Sequence, residues 1–301
     1  MTLVRDEAAA VDISVLIPTR AGGALLEELV EALATQQSSR PFELILVDSG
    51  SPPEELARLR QSGARVETLD PREFDHGRTR DRLAALARGR VLVFLNQDAI
   101  PVGSDWLERL TGPLFAAEPP AAVQGAIREF EPEEAARAGL RRFFWDSCGP
   151  RFYFTRESVG WIARHGGLGF STVHCALLRS AWEELPFGAA AILEDKKWQQ
   201  AAASRGWRIG VVPDAVVRHT HDYGLRSLLR RCASEGFGWR LVGERYRLRD
   251  AVADLAFRAP WKEWRRALRD ERLETPAERW FPLLRPLALW WGNRWSRRVL
   301  H

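Results

Sequence analysis

The chain has 301 residues, 46% of them hydrophobic, enough for one large α/β domain with an appendage or for two small domains. Its 44 Lys and Arg against 40 Asp and Glu leave a net charge of +4, too small an excess to mark a nucleic-acid binder by itself. Cys148, Cys175 and Cys232 are widely spaced and odd in number, which argues against a disulfide framework or a zinc-cysteine site and points to reduced thiols in a cytoplasmic protein.

The first twelve residues lack the apolar core of a signal peptide, and no stretch reaches the roughly 18 uninterrupted apolar residues of a membrane span. The expectation is a protein neither exported nor crossing a membrane. Residues 13–17 form a short apolar strand ended by Pro18-Thr19-Arg20, and Gly22-Gly23 follow. Leu25, Leu26, Leu29, Val30 and Leu33 then fall on one helical face. A second strand is expected at 42–47, ended by Asp48-Ser49-Gly50, then a helix at 53–61 and a third strand at 66–69. This alternation implies right-handed crossovers and a parallel sheet. No Gly-x-Gly-x-x-Gly follows the first strand, so a dinucleotide fingerprint is absent.

Residues 70–81, DPREFDHGRTRD, hold little that belongs in a core. Thr79 is the expected N-cap of a helix with Leu83, Ala84, Leu86 and Ala87 on its buried side. His76, Arg78 and Arg80 ahead of that helix fit an anion site and fit a solvated charged loop equally. The run 91–95, VLVFL, suits a strand buried on both faces, and it stops at Asn96-Gln97-Asp98. Open α/β sheets bind ligands at the carboxyl ends of their strands, which is where Asp98 stands; a lone Asp there is otherwise an ordinary turn carboxylate.

Further on, a helix is expected at 106–115, a strand at 122–130 and a helix over 132–144. The stretch 145–172 is poorly periodic, rich in Gly and aromatics, and reads as a mobile functional loop. A strand edge at 175–178 and a helical turn at 181–185 precede Glu194-Asp195, which opens a helix over 195–205. Acidic residues in a first turn are ordinary dipole partners, so that pair has a purely structural reading too. Strands at 207–212 and 215–219 lead to His219-Thr220-His221, two His on one strand face, compatible with a metal or with packing. Residues 225–246 and 250–269 read as Arg-rich amphipathic helices. From Arg258 onward there are eleven Arg and Lys against five Asp and Glu, with Trp261, Trp264, Trp280, Trp290, Trp291 and Trp295 interleaved.

Four loop sites thus lie at strand ends of one sheet: Pro18-Thr19-Arg20, Asp48-Ser49, the Arg80 loop and Asp98. An Asp after the second strand can accept from a base or ribose, an Arg can hold a base or diphosphate, and an Asp after the long strand can hold a divalent metal bridging that diphosphate. That set describes a nucleotide-sugar site better than a hydrolase.

The blocks ISVLIPTR, ELILVDSGS, FDHGRTRD, FLNQDAIP, LEDKKW and VVRHTH resemble, in order, those of family 2 glycosyltransferases of the GT-A fold, over about residues 12–222. FDHG with a following Arg-Asp pair, and QDAIP, are similar to the bacterial rhamnosyltransferase-like branch. The resemblance implies an α/β fold, a Rossmann-like, mostly parallel sheet flanked by helices, as a catalytic domain over 1–222, with a helical Arg/Trp-rich extension over 223–301. It implies that Pro18, Thr19, Arg20, Asp48, Arg80, Asn96 and Gln97 line the nucleotide-sugar pocket. Asp98 and His219, preferred over His221, would bind a divalent cation, Mg²⁺ or Mn²⁺, and Asp195 would be the catalytic base beside Glu194. The triplet Asn96-Gln97-Asp98 departs from the family's DxD element in its first residue, an amide that brings no charge to a metal.

The implied reaction is inverting transfer of a sugar, rhamnose for that branch, from a UDP- or dTDP-linked donor to a hydroxyl of a glycan or lipid-linked acceptor in cell-surface polysaccharide synthesis. The alternative is a catalytically inactive domain that binds a nucleotide sugar or glycan as a scaffold, favoured by Asn96 and opposed by Asp98, Glu194 and Asp195. The expected place is the cytoplasm, with the tail docked peripherally on the inner face of the membrane; packing of those helices on the catalytic domain is the competing reading. A nucleic-acid role for the tail finds no fold signature.

Overall fold

The structure, a computed structural model, describes residues 10–137, 139–147, 156–221 and 223–294. The chain divides into two compact units, Met1–Arg128 with Phe170–His219, and Glu129–Gly169 with Thr220–His301. The extension expected at 223–301 therefore starts, as a compact unit, at Thr220 and takes in 129–169 as well. Cys148 and Trp295 lie outside the described residues.

The first unit carries strands β1 (Ile13–Thr19), β2 (Phe42–Asp48), β3 (Arg65–Thr68), β4 (Val91–Leu95), β5 (Ile100–Pro101), β6 (Ala122–Arg128), β7 (His174–Leu178) and β8 (Ile209–Arg218). They form one sheet in the order β3-β2-β1-β4-β7-β6-β8-β5. The four strands β3, β2, β1 and β4 are parallel, while β7 runs antiparallel between β4 and β6. The sheet is thus mixed, and residues 175–178, expected at an edge, are interior. Every residue of β2 and β4 is buried, as the unbroken apolar run of β4 requires when both faces are covered; in β2 the buried Glu43 accepts from the Ser14 hydroxyl and pairs with Arg88. From β1 the chain moves outward to β2 and β3 and then returns to β4 on the other side. The strand order reverses between β1 and β4, which opens a crevice at their carboxyl ends.

Helices of this unit are α1 (Gly23–Ala34), α2 (Pro53–Gln61), α3 (His76–Leu86), α4 (Trp106–Thr111), α8 (Arg179–Glu184) and α9 (Glu194–Ser204). Helix α3 starts earlier than expected: Asp75, not Thr79, caps it, its carboxylate accepting from the Arg78 N–H at 2.9 Å. Thr79 is instead buried one turn inside. The two strands expected at 207–212 and 215–219 are one strand, β8, paired parallel to β6 with an irregularity at Gly125/Ala126.

The second unit contains α5 (Pro132–Arg137), α6 (Phe144–Ser147), α7 (Arg156–Arg164), α10 (Leu225–Leu241), α11 (Leu248–Leu255), α12 (Arg258–Arg269) and α13 (Pro276–Arg294). The single helix expected over 132–144 is thus broken, and the helix expected over 250–269 is two. Its core gathers Phe143, Phe144, Trp145, Leu228, Cys232, Leu273 and Phe281. Trp145 stacks on Phe281 at 5.2 Å and donates to the Glu278 carbonyl at 2.7 Å, while Trp161 is fully buried against His165 and Trp239. The described parts of 145–172 are therefore packed structure rather than a bare loop. Helices α10 and α13 approach so closely that a Cβ on Gly236 would lie 2.1 Å from the Leu289 carbonyl oxygen. No described helix is long and apolar enough to cross a membrane.

Candidate active site

At the carboxyl end of β2, Asp48 is 1% exposed and its carboxylate organises its own turn. One oxygen accepts from the hydroxyls of Thr19, at 3.1 Å, and Ser51; the other accepts from the N–H groups of Gly50 and Ser51, each at 2.9 Å. The neighbouring loop after β1 is pinned by side chains from three sides. Gln97 spans the Arg20 backbone, accepting from its N–H at 2.8 Å and donating to its carbonyl at 3.1 Å. Ser51 accepts from the Ala21 N–H, and Glu55 from those of Gly22 and Gly23. Ala21 sits at a φ of 43°, a conformation that L-residues hold only when surroundings enforce it. Pro18 is half-buried and the Arg20 side chain exposed.

Arg80 is the buried hub. Its guanidinium, 3% exposed, pairs with Glu194 at 3.0 Å, donates to the Asn96 side-chain oxygen at 3.0 Å and to the His76 carbonyl at 3.2 Å. Because Arg only donates, it fixes the amide: oxygen toward Arg80, NH₂ toward whatever else approaches. Glu194 also accepts from the Thr172 hydroxyl at 2.7 Å. Burial alone would push its carboxyl up, but the Arg80 charge and the Thr172 hydrogen bond outweigh it and hold Glu194 below the usual carboxylate range. Glu194 is thereby a buried, ionised anchor.

Asp195 has a different environment. Its carboxylate accepts from the Lys196 N–H at 2.7 Å and pairs with the Lys196 ammonium at 3.3 Å, while that ammonium also donates to the Phe170 carbonyl. Leu193, just ahead of α9, is left-handed with a φ of 56°. This strained residue turns the chain so that two successive carboxylates point apart, one into the Arg80 hub and one to Lys196.

Asp98 is partly open, and one of its carboxylate oxygens lies 3.3 Å from His219 Nδ1. A carboxylate and an imidazole side by side are a donor set that could hold a divalent cation. Among the described residues no group of three or more His, Cys, Asp or Glu could hold a metal ion. The shared-face reading of His219 and His221 does not hold. Strand β8 ends at Arg218, and His221 turns to Asp146 at 3.1 Å and stacks on Tyr223.

Residues that sequence reasoning passed over hold the ED pair in place. Asp75 accepts from Ala190 N–H, and Asp81 accepts from the Trp182 indole, Phe187 N–H and Gly188 N–H at 2.7–2.9 Å. A Cβ on Gly77 would stand 2.0 Å from the Gly188 carbonyl oxygen. The FDHGRTRD block thus fastens the segment leading to Glu194-Asp195. Its acid–glycine–acid spacing was visible, but its partners lie more than a hundred residues away.

The chain matches the family model for glycosyl transferase family 2 over residues 14–185. It is 30% identical over 234 residues to the O-antigen chain rhamnosyltransferase RfbN of Salmonella typhimurium, covering 74% of this chain and 71% of that one. It is 28% identical to the O-antigen chain rhamnosyltransferase WbaN of Salmonella anatum, over 74% and 70% of the two chains. Its fold is similar to that of glucosyl-3-phosphoglycerate synthase from Mycobacterium tuberculosis, solved with Mn²⁺, UDP-glucose and phosphoglyceric acid. That likeness has a TM-score of 0.59 at 21% identity, over 78% of this chain and 81% of that one, and it bears on the fold alone.

Proposed function

We propose, from the premise that the chain belongs to the family 2 glycosyltransferases, that it moves rhamnose from a UDP- or dTDP-linked donor to a hydroxyl of a glycan or lipid-linked acceptor, with inversion, in O-antigen-type polysaccharide synthesis. The observation that carries this is one continuous chain of contacts at the carboxyl ends of β1, β2 and β4. It runs from Asp48 to Thr19, from Arg20 to Gln97, and from Asn96 through Arg80 to Glu194, next to Asp195. The names of the two Salmonella relatives support rhamnose as the sugar.

In this reading the Asp48 turn and the loop at Pro18–Arg20 receive the nucleoside, and the Asn96 NH₂ donates to a ribose or sugar hydroxyl. Asp195 accepts the proton of the acceptor hydroxyl as its oxygen bonds to the anomeric carbon. The bond from that carbon to the phosphate oxygen breaks on the opposite face, so one displacement inverts the centre. Two flanking carboxylates would instead suit glycoside hydrolysis, and Glu194, locked to Arg80, is not a second free carboxylate. Asp98 and His219 would hold Mg²⁺ or Mn²⁺, which when bound offsets the charge of the departing diphosphate. The structures of the mycobacterial synthase with Mn²⁺ or Mg²⁺ and UDP support this choice of ion for that fold.

The scaffold reading draws on Asn96. The amide accepts from Arg80 and leaves the Asp98–His219 pair intact, which supports a working site. Release of nucleoside diphosphate from a panel of nucleotide sugars, with and without Mn²⁺, tests the proposal. Turnover of dTDP-rhamnose or UDP-rhamnose that Asp98→Ala abolishes is expected; donor binding without any turnover would favour the scaffold. Catalysis belongs in this reading to the domain over 1–222, at the cytoplasmic face. The extension over 223–301, with exposed Leu241, Leu248, Val252 and Trp291, makes a peripheral membrane contact.

A further inference from the structure

The second unit contains a cavity of about 350 Å³ lined by Arg240, Arg245, Arg247, Arg294, Leu248 and Trp290, with Tyr246 and Asn293 at its base. Among the described residues no carboxylate lines it, and neither the Arg245 nor the Arg247 side chain has an acidic partner within ion-pair distance. The loop presenting these two arginines is held rigidly. Buried Asn293 accepts from the Tyr246 N–H at 3.0 Å and donates to the Gly236 and Glu244 carbonyls, while the Tyr246 hydroxyl donates to Asp254 at 2.6 Å. Asp250 accepts from the Arg247 N–H at 2.8 Å, and Arg240 donates to the carbonyls of Asn293 and Arg294, closing the end of α13. The Arg245 and Arg247 guanidinium groups thus stand beside Arg240 on a pinned frame, where a multiply charged anion would find several charged donors.

The exposed apolar side chains decide which anion. Leu248 and Trp290 line the cavity, and Leu248 is more than half exposed, as are Val252, Leu241 and Trp291 on the helices α11, α10 and α13 that carry or flank its arginines. Arginines with exposed leucine and tryptophan on the same helices match a phosphate headgroup with acyl chains beside it, where the apolar side chains enter the interface and the arginines reach the phosphate. A nucleotide or free phosphate would leave those apolar side chains in water.

We propose that this cavity is a phosphate-headgroup site through which the protein holds an anionic membrane lipid. The site deepens the membrane contact proposed above and rests on it; it is independent of the assignment of the transfer site. The test is sedimentation of the full-length protein at low salt with phosphatidylcholine vesicles, with and without phosphatidic acid. It is repeated for the double variant Arg245→Gln, Arg247→Gln and for Leu248→Ser, all exposed positions whose melting temperature serves as the control for folding. Wild-type protein is expected to bind only the vesicles containing phosphatidic acid. The double variant should bind about thirtyfold more weakly, the worth of two basic residues at an anionic leaflet, with Leu248→Ser also weakened and nucleoside diphosphate affinity unchanged in both. Equal binding by wild type and double variant would overturn the cavity assignment while leaving the membrane contact standing. Wild-type protein that ignores the vesicles would overturn both, and calorimetric binding of inorganic pyrophosphate in that case would mark a soluble phosphate as the ligand.

Discussion

Neighbouring residues with the same chemistry can have opposite roles, and Glu194 and Asp195 separate on environment alone. Glu194 forms a buried ion pair, so Glu194→Gln strands the Arg80 charge and should cost about 3–5 kcal/mol in urea-unfolding experiments. Asp195→Asn keeps shape and some hydrogen bonding but loses the proton acceptor. It should lower the transfer rate roughly 10²–10⁴-fold with donor affinity and melting temperature nearly unchanged. The reverse pattern, normal transfer with a lowered melting temperature, would make Asp195 a helix-terminus residue only. His174 makes a separate residue-scale case. Its Nε2 accepts from the Trp106 indole at 2.9 Å, and burial pushes the imidazole down to about 4 against a weaker upward pull from the Ala126 carbonyl. Below the ordinary histidine range the unfolded chain takes a proton that the folded protein refuses, so stability falls as pH drops from about 6.5 toward 4. Wild-type protein should lose about 2 kcal/mol more than His174→Gln between pH 7.5 and 5. Parallel stability profiles for the two proteins would remove His174 as the source.

At the scale of elements, α3 acts as a clamp on the chain ahead of α9. Removing Asp81 leaves three donors, on Trp182, Phe187 and Gly188, without their acceptor. Asp81→Ala should cost about 2–4 kcal/mol in chemical denaturation. Because the clamped segment carries Asp195, kcat should fall well beyond KM for the donor; a change confined to stability would show that the clamp does not position the base. This clamp also marks where the sequence stops being legible. Strands β1, β2 and β4 are readable because strands covered on both faces need mostly apolar runs, unbroken in β4 and interrupted once each by Ser14 and Glu43 in β1 and β2, and α2 because Pro53 and the acidic first turn define its start. The cap of α3 was misplaced because Asp75 and Thr79 are both good caps locally, and the choice is made by Gly77 meeting Gly188 and Asp75 meeting Ala190. Likewise the apolar run of β7 carries no mark of its direction, which its pairing with β4 and β6 decides. Asn96 could be read as a departure from the family triplet, but not as the partner of Arg80, a relation set by tertiary contact.

Across the whole molecule, every residue assigned to donor, cation or base comes from the unit formed by Met1–Arg128 and Phe170–His219. The even charge balance of the sequence conceals a second unit with its own construction: an apolar aromatic cluster, a buried Arg285–Glu235 pair at 2.9 Å, and helices α10 and α13 in near backbone contact. That 129–169 belongs to this unit is not legible in the sequence, since a segment that leaves a fold and joins another carries no local sign of doing so. Gly292 offers a way to perturb this unit alone. A Cβ there would lie 1.8 Å from the Ala233 carbonyl oxygen and 2.6 Å from its carbon, backbone atoms that cannot rotate aside. Gly292→Ala must therefore push α13 off α10, at a cost of about 1–3 kcal/mol or more. Hydrogen exchange should accelerate through both helices, because the amides there lose the packing that keeps them closed. Calorimetric affinity for the nucleoside diphosphate should stay within about twofold, since contributions from sites that share no partner add independently. A tenfold loss of that affinity, with α10 and α13 still slow to exchange, would mean that the nucleotide pocket depends on the second unit and that its residues are not all accounted for in the first.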